Sequence, residues 1–437
     1  MPNRPNLKNF FYLVGSGLII QLAGTVYRIW LARQIGAEGL GIMQMIYPVY
    51  RLLSGLASFG IPLALTKWIA EYLATNDENA ILPLKKWATK ITGCLSILAG
   101  LGLYLSAPHL SHHLFTDPRV EESLKIVALA IPFSALSAIY RGYFQGFSAM
   151  YPTAASELTE QTIEISSTMI GILCLTTVLP FTLYTYPLIG LMLGEVACFV
   201  TLSFFLPKFS PKKFSTSKSA PPHQQILIYA WPLLLNQLIG SLSMGSEGII
   251  IPHFLMKTGY SAAQSTAIFG QLTGMSEPVA YFPLILLIPL GVVLSPQISA
   301  AFKTNSLKTI KEKVSLFYLT STILCLISFL LILIFAESIS KFLYHDLSPV
   351  ALIRLLVVGL PFTGIAILNL NLLIAIGATK KILLLSIWVT LLKIVSLIIF
   401  TPILGVFGAA WAFNITQIFM ALVSWQEVKR CLPTLVS

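Results

Sequence analysis

The sequence predicts an all-α integral membrane protein with about twelve transmembrane helices in two six-helix bundles. Of its residues, 56% are hydrophobic and only 10% are charged, and the mean hydropathy is +0.82. Soluble domains carry roughly 25% charged residues, so the composition excludes an ordinary soluble fold. Runs of about 18 or more apolar residues recur along the chain, and each is long enough to cross about 30 Å of hydrocarbon.

Twelve stretches of the chain qualify as spans by length and composition. The first is too long, and too polar at its far end, for a cleaved signal peptide, and no small-residue cleavage site follows it. The predicted spans lie at residues 10–31, 40–65, 89–107, 124–146, 153–179, 184–206, 227–255, 264–297, 314–336, 350–376, 382–402 and 405–426.

The net charge of +11 follows the predicted topology rather than indicating a nucleic-acid partner. Most lysines and arginines fall in alternate loops, as the positive-inside pattern requires, and this predicts that both termini are cytoplasmic. We therefore expect no nucleic acid to bind. The predicted cytoplasmic side includes Lys67, Lys85, Lys86 and Lys90 in one loop, and Lys303, Lys308, Lys311 and Lys313 in another.

The longest polar stretch divides the sequence into two halves of similar size. KFSPKKFSTSKSAPPHQQ begins at Lys208 and is rich in Lys, Ser and Pro, which is typical of a flexible linker. We predict one six-helix bundle at residues 1–207, a cytoplasmic linker at 208–226 and a second bundle at 227–437. The halves share short similar segments in the same order, which align Gln21 with Gln237, Pro62 with Pro289, and Pro132 with Pro361.

These repeats predict the symmetry of the protein. Six spans per half is an even number, so the two halves share one orientation and are related by a pseudo-two-fold axis along the membrane normal. A cavity between two such bundles is typical of a transporter.

Nine ionisable residues fall within the predicted spans. A charge at the bilayer centre costs about 2.5–3.5 kcal/mol, so nine charges facing lipid would cost on the order of 20–30 kcal/mol. We therefore expect these side chains to face one another or water. They are Arg28, Arg51, Glu157, Glu160, Glu164, Glu195, Glu247, Glu277 and Lys393.

Arg28 and Arg51 are the strongest candidates for substrate binding. Each lies in an apolar helix with no acid at helical spacing, and a guanidinium presents a planar set of donors suited to phosphate. We include Glu247, Glu277 and Lys393 as further candidates for the substrate site. The alternative for the two arginines is structural ion pairing with Glu195, Glu247 or Glu277.

A second group of candidates is acidic. Glu157, Glu160 and Glu164 fall within an arc of roughly 100° on one helix, so at least one of them should be protonated or paired unless this end of the span lies in cytoplasmic water. With Glu195 they are our candidates for coupling to H⁺ or Na⁺, although the membrane potential acting directly on the charges is an alternative.

Two segments resemble a known family. LARQIGAEGLGIMQMIYPVYRLLSGLASFGIPLALTKWIAE, at residues 31–71, and RGYFQGFSAMYPTAASELTEQ, at residues 141–161, resemble the stage V sporulation protein B branch of the polysaccharide transporters. That branch belongs to the superfamily of lipid-linked oligosaccharide flippases and multidrug exporters. The resemblance implies a V-shaped pair of six-helix bundles that moves an undecaprenyl-pyrophosphate-linked sugar between leaflets.

The resemblance also implies roles for individual residues. Related lipid II flippases hold the pyrophosphate with basic residues in their first helices, and Arg28 and Arg51 match them. An arginine is usual in the family where this chain has Glu164, which puts a basic role for the fifth span in doubt. We also expect the chain to lack two extra C-terminal helices of several relatives. The family signature, to which no chemistry is assigned, is matched by Arg141, Gln145, Gly146, Pro152 and Glu160.

We therefore expect a flippase for a lipid-linked precursor of peptidoglycan or polysaccharide, in sporulation or cell-wall synthesis, that works by alternating access. The alternative within the superfamily is a cation- or drug-exporting antiporter, for which the acids at 195, 247 and 277 are suited. A membrane glycan ligase would need a longer extracytoplasmic loop than residues 106–122, whereas a non-transporting scaffold stays open. We expect no enzymatic activity, no cofactor and no metal. The expected partners are the lipid-linked glycan, membrane lipids and H⁺ or Na⁺, with the protein a monomer.

Overall fold

The computed structural model describes residues 7–75, 77–115, 117–176, 182–209, 223–287 and 307–431, and this part of the chain is helical, without β-strands. By their packing, the described residues form two compact units. The first takes its residues from 1–35 and 45–242, and the second from 36–44 and 243–437.

The helices of the N-terminal half are joined by short connections. A 3₁₀ turn at Glu78–Ala80 precedes the third, a π-helical turn at Gly171–Leu175 follows the fifth, and a 3₁₀ turn at Leu206–Phe209 follows the sixth. The helices are α1 (Leu7–Ser58), α2 (Ile61–Ala74), α3 (Ile81–His113), α4 (Val120–Gly146), α5 (Tyr151–Ile170) and α6 (Tyr186–Phe205).

The C-terminal half contains one strongly irregular stretch, in which α8 is followed by a π-helical segment at Gln271–Ser276, then by α9 and a 3₁₀ turn at Phe282–Leu286. A further 3₁₀ turn at Val357–Gly359 separates α11 from α12. The helices are α7 (His223–Lys257), α8 (Ala262–Gly270), α9 (Glu277–Tyr281), α10 (Leu307–Tyr344), α11 (Val350–Leu356), α12 (Leu360–Ala375), α13 (Thr379–Leu404) and α14 (Val406–Cys431).

The described helices include nine segments that are long and apolar enough to cross a membrane. The first of them, Ile19–Ala74, has 56 residues, which is enough for two crossings at about 20 residues each. Two predicted spans do not qualify. The helix α5 carries three glutamates, and the predicted eighth span is broken between α8 and α9. The protein is therefore a multi-pass membrane protein, whereas the count of twelve and the symmetry of two bundles stay predictions.

The connection between the first two predicted spans, residues 32–39, is shorter than the predicted boundaries imply. Helical structure continues on both sides of Gly36, and this one residue is non-helical, with φ 67° and ψ −176°, so two helical segments meet there at a kink. Arg33, Gln34 and Glu38 suggested a polar loop, but all three tolerate a helix well, so a single glycine is enough to redirect the chain.

The second predicted span, residues 40–65, is also interrupted. Helix α1 ends at Ser58, and both Phe59 and Gly60 have positive φ angles, of 50° and 66°. A Cβ at Gly60 would stand 2.6 Å from the Ala230 carbonyl oxygen of α7. The break therefore lies where the backbone of α7 approaches too closely for a side chain.

The linker predicted at residues 208–226 lies mostly outside the described residues. Its two described ends, at 206–209 and from His223 onward, are helical. The start of α7 contributes Ile226 to a core cluster of the first unit with Trp68, Tyr143 and Phe144. The division of the chain into residues 1–207 and 227–437 stays a prediction.

Backbone groups freed by the π-helical segment in the second unit are bonded by side chains. Gln44 donates to the Thr273 carbonyl oxygen at 3.3 Å, Ser276 to that of Gln271 at 2.7 Å, and Tyr344 to that of Met275 at 3.1 Å. An unsatisfied backbone group in hydrocarbon costs several kcal/mol, so these bonds explain how the broken helix is tolerated. The break also sets the orientation of α9, which carries Glu277.

Candidate functional site

The two predicted anion ligands lie on α1, within the first unit. Arg28 and Arg51 are both exposed. Neither guanidinium forms an ion pair or hydrogen bond with another residue in the described part of the chain. Both interact electrostatically with the hydroxyl of Tyr47, which lies four residues before Arg51. The structure thus places both arginines near one tyrosine, and their guanidinium N–H groups can donate hydrogen bonds to a ligand.

Glu164 of α5 belongs to the same group. The Tyr47 hydroxyl lies 3.5 Å from Glu164 Oε1, at the long limit of a hydrogen bond, and the Glu164 carboxylate interacts electrostatically with Arg28. One turn further along α5, the Tyr27 hydroxyl donates to Thr168 Oγ1 at 3.0 Å. We call Arg28, Arg51, Tyr47 and Glu164 the arginine cluster. It combines two arginines and one carboxyl group beside a half-buried tyrosine.

Glycines on α6 bring α5 close enough to place its acids. A Cβ at Gly190 would stand 2.7 Å from the Glu164 carbonyl oxygen, and one at Gly194 would stand 2.9 Å from that of Glu160. Two small residues four positions apart commonly allow membrane helices to approach each other closely. The glutamates of α5 are thereby held against α6, which carries Glu195.

A second charged group of the first unit is centred on Arg141 of α4. Its guanidinium forms an ion pair with Glu160, and Nη2 donates to Cys198 Sγ at 2.9 Å. Glu195 is buried and accepts a hydrogen bond from the Tyr50 hydroxyl. Glu157 interacts electrostatically with Arg141. These residues link α1, α4, α5 and α6, and the expectation that the acids face partners agrees with these contacts.

Three residues of this group offer metal-ligand atoms within 4.8 Å of one another: Glu160, Glu195 and Cys198. The guanidinium of Arg141 already contacts two of them. It supplies the positive charge that a metal ion would otherwise bring, so we assign no metal here.

In the second unit, two predicted ligands pair with each other. Lys393 of α13 forms an ion pair with Glu247 of α7, and its Nζ lies 4.5 Å from the centroid of the Phe413 ring. Glu247 is only 6% exposed. Each residue neutralises the charge of the other. This favours a structural role for Glu247 and Lys393 over direct contact with the substrate.

Glu277, the remaining candidate, begins α9 directly after the π-helical segment and is half-buried. Its carboxylate interacts electrostatically with the hydroxyl of Tyr281, one turn along the same helix. Within the described residues of the first unit, Glu195 forms no ion pair with Arg28 or Arg51. Structural pairing of the two arginines with Glu195 is therefore not seen there.

Sequence reasoning missed the tyrosines. Tyr27, Tyr47 and Tyr50 each bring a hydroxyl to an acid or hydroxyl of α5 or α6. Their only signal was position, because Tyr47 lies one helical turn before Arg51 and Tyr27 directly before Arg28. The role of Arg141 had no signal except the family signature.

The chain matches a known family and known relatives. The family described as "Polysaccharide biosynthesis protein" matches residues 6–302. The chain is similar to stage V sporulation protein B of Bacillus subtilis (strain 168), with 27% identity over 99% of this chain and 85% of that protein. It is also similar to lipid II flippase MurJ of the same bacterium, with 22% identity over 71% of this chain and 60% of that protein.

Solved structures share the fold. One, described as the inward-facing conformation of a multidrug resistance MATE family transporter of the MOP superfamily, gives a TM-score of 0.78 with 16% identity over 98% of each chain. Another is a MOP superfamily transporter from Pyrococcus furiosus, described as having a binding pocket of reverse polarity. It gives a TM-score of 0.65 with 17% identity, over 97% of this chain and 94% of that one. At these identities the likeness shows the fold alone.

Proposed function

Because the chain belongs to the polysaccharide biosynthesis protein family, we propose that it translocates an undecaprenyl-pyrophosphate-linked glycan precursor across the bacterial cytoplasmic membrane by alternating access. Two relatives support this reading by their names, one a stage V sporulation protein and the other a lipid II flippase. One of these relatives is named as a flippase, and a transport function needs no catalytic group.

The observation that carries the proposal is the state of Arg28 and Arg51. Both guanidinium groups are exposed, and no described residue pairs with either of them. An arginine within an apolar helix is costly unless it meets water or an anion. A pyrophosphate offers several oxygen acceptors to the planar donor sets of two arginines, which is the strongest type of charged hydrogen bonding.

The acids of the first unit fit a coupling role. Glu157, Glu160 and Glu195 interact electrostatically with Arg141, and Glu164 does so with Arg28. An anionic headgroup that binds beside these acids is repelled by their carboxylates. Binding of H⁺ or Na⁺ to one carboxylate reduces this repulsion. We propose that one of the four carries the coupling ion. We also propose that the protein is a monomer with both termini in the cytoplasm.

Translocation by purified protein in proteoliposomes tests the proposal. The probe is a fluorescent isoprenoid-pyrophosphate glycan, whose exposure to a membrane-impermeant quencher reports on the leaflet it occupies. We expect the protein to equilibrate the probe between leaflets much faster than protein-free vesicles do. An equal rate with and without protein would contradict the proposal.

The same vesicles test the second candidate function, an antiporter that exports cations or drugs. It is favoured by the fold shared with multidrug transporters and by the acids in both units. Uptake of a fluorescent cationic dye driven by a H⁺ or Na⁺ gradient, without movement of the lipid probe, would favour this function instead.

A further inference from the structure

The side-chain amide of Gln161 on α5 is a polar group without a partner, next to the arginine cluster. It is half-buried, and it forms no hydrogen bond with another residue in the described part of the chain. Gln161 lies four residues after Glu157 and three before Glu164, so the three side chains share one face of α5. The amide therefore lies one helical turn from the acid of the arginine cluster.

Helix α1 leaves open space beside this amide. A Cβ at Gly24 would stand 3.9 Å from Gln161 Oε1, which is ordinary van der Waals contact. Beyond the adjacent turns of α1, no other atom of the described residues lies within 4 Å of that position. Gly24 is four residues, or about one turn, before Arg28. A ligand held by Arg28 can therefore extend into the space between Gly24 and Gln161.

A second amide lies on the same face of α1. Gln21 is seven residues before Arg28, which is almost two full turns, and three residues before Gly24. Its side chain is half-buried and has no hydrogen-bond partner among the described residues. Polar groups within a membrane protein usually face water or a polar ligand rather than lipid. Two amides of the first unit thus border one open space next to an exposed arginine.

The chemistry of this space suits a sugar. In a pyrophosphate-linked glycan the first sugar is bonded directly to the outer phosphate, and one helical turn of about 5.4 Å is close to the width of a sugar ring. A side-chain amide both donates and accepts hydrogen bonds, as a sugar hydroxyl does. The carboxyl oxygens of Glu157 and Glu164, on the same face as Gln161, can accept hydrogen bonds from further hydroxyls.

We propose that Gln161 and Gln21 form a subsite that binds the first sugar of the lipid-linked substrate. The subsite rests on the proposed function, because Arg28 must bind the pyrophosphate for the sugar to reach the two amides. The alternative is that the space holds water alone, and the amides then contribute nothing to the choice of substrate.

Binding of two lipids to the full-length protein in detergent, followed by native mass spectrometry, tests the subsite. The probes are an isoprenoid pyrophosphate without a sugar and the same lipid bearing one N-acetylglucosamine. We expect wild type to bind the sugar-bearing lipid more tightly. Gln161→Leu keeps the approximate size of the side chain but loses its hydrogen bonds. It should weaken binding of the sugar-bearing lipid about two- to tenfold, the usual effect of losing a neutral hydrogen bond, and leave the sugar-free lipid unchanged.

Gly24→Leu tests the same subsite by filling its space, and it should also weaken the sugar-bearing lipid alone. Gln34→Leu is the matched control, because Gln34 is an exposed glutamine of α1 that lies six residues after Arg28 and on a different face of the helix. It should change neither affinity. If wild type binds the two lipids equally, or if Gln161→Leu or Gly24→Leu keeps the preference of wild type, the subsite is wrong. If wild type binds neither lipid, the proposed function itself is wrong.

Discussion

Replacing Arg28 and Arg51 together with alanine is expected to weaken the apparent affinity for a pyrophosphate-linked lipid by about 100-fold or more. A hydrogen bond to a charged group contributes about 1.5–3 kcal/mol, and each 1.4 kcal/mol corresponds to a factor of ten in affinity. Each single variant should therefore lose about tenfold or more. The measurement is the initial translocation rate in proteoliposomes as a function of substrate concentration.

The control for this prediction lies on the same helix. Arg33→Ala removes an exposed arginine of α1 that our proposal does not assign to the substrate, and it should leave the apparent affinity within about twofold of wild type. Arg28→Lys and Arg51→Lys should be intermediate, because an ammonium keeps the charge but loses the planar set of donors. If the double alanine variant transports with wild-type affinity, the two arginines do not bind the pyrophosphate.

Replacing Glu247 with glutamine is expected to destabilise the protein by about 3–5 kcal/mol, the usual cost of removing one partner from a buried ion pair. The variant leaves the Lys393 ammonium, whose side chain is 17% exposed, without its counter-charge inside the protein. The measurement is the unfolding temperature in detergent, followed by tryptophan fluorescence.

A double variant separates the structural role of this pair from the substrate role expected from the sequence. Glu247→Met with Lys393→Met replaces both charges with apolar side chains, which is often neutral for stability. We expect it to recover most of the unfolding temperature and to retain translocation. If the double variant folds like wild type but does not transport, Glu247 and Lys393 have a role in binding the substrate, and the purely structural role is wrong.

The helices and the family could be predicted from the sequence, because both depend on local signals. Apolar runs of sufficient length define spans without tertiary information, and residues 31–71 and 141–161 are long enough to identify the family. The connections were less predictable. The polar stretch before Leu40 suggested a loop, but Gly36 alone redirects the chain, and the residues from Gly36 to Gln44 pack with the second unit.

The partners of the in-span charges were not predictable, because other helices of the fold supply them. Arg141 and Glu160 lie on different helices, and so do Tyr50 and Glu195. The most instructive case is Glu164, where the family resemblance led us to expect an arginine. Here the acid lies beside Arg28 and Tyr47, so it reduces the positive charge of the arginine cluster rather than adding to it.

Native mass spectrometry of the lipids bound to the purified protein tests the anion site most directly. Wild type and the Arg28→Ala/Arg51→Ala variant are each titrated with one isoprenoid bearing a pyrophosphate, a monophosphate or a free hydroxyl. If the two guanidinium groups bind the phosphates, wild type should bind the pyrophosphate lipid most tightly and the lipid with a free hydroxyl most weakly. The variant should bind all three lipids with similar affinity. Equal binding of the three lipids by wild type, or an unchanged order in the variant, would contradict the account.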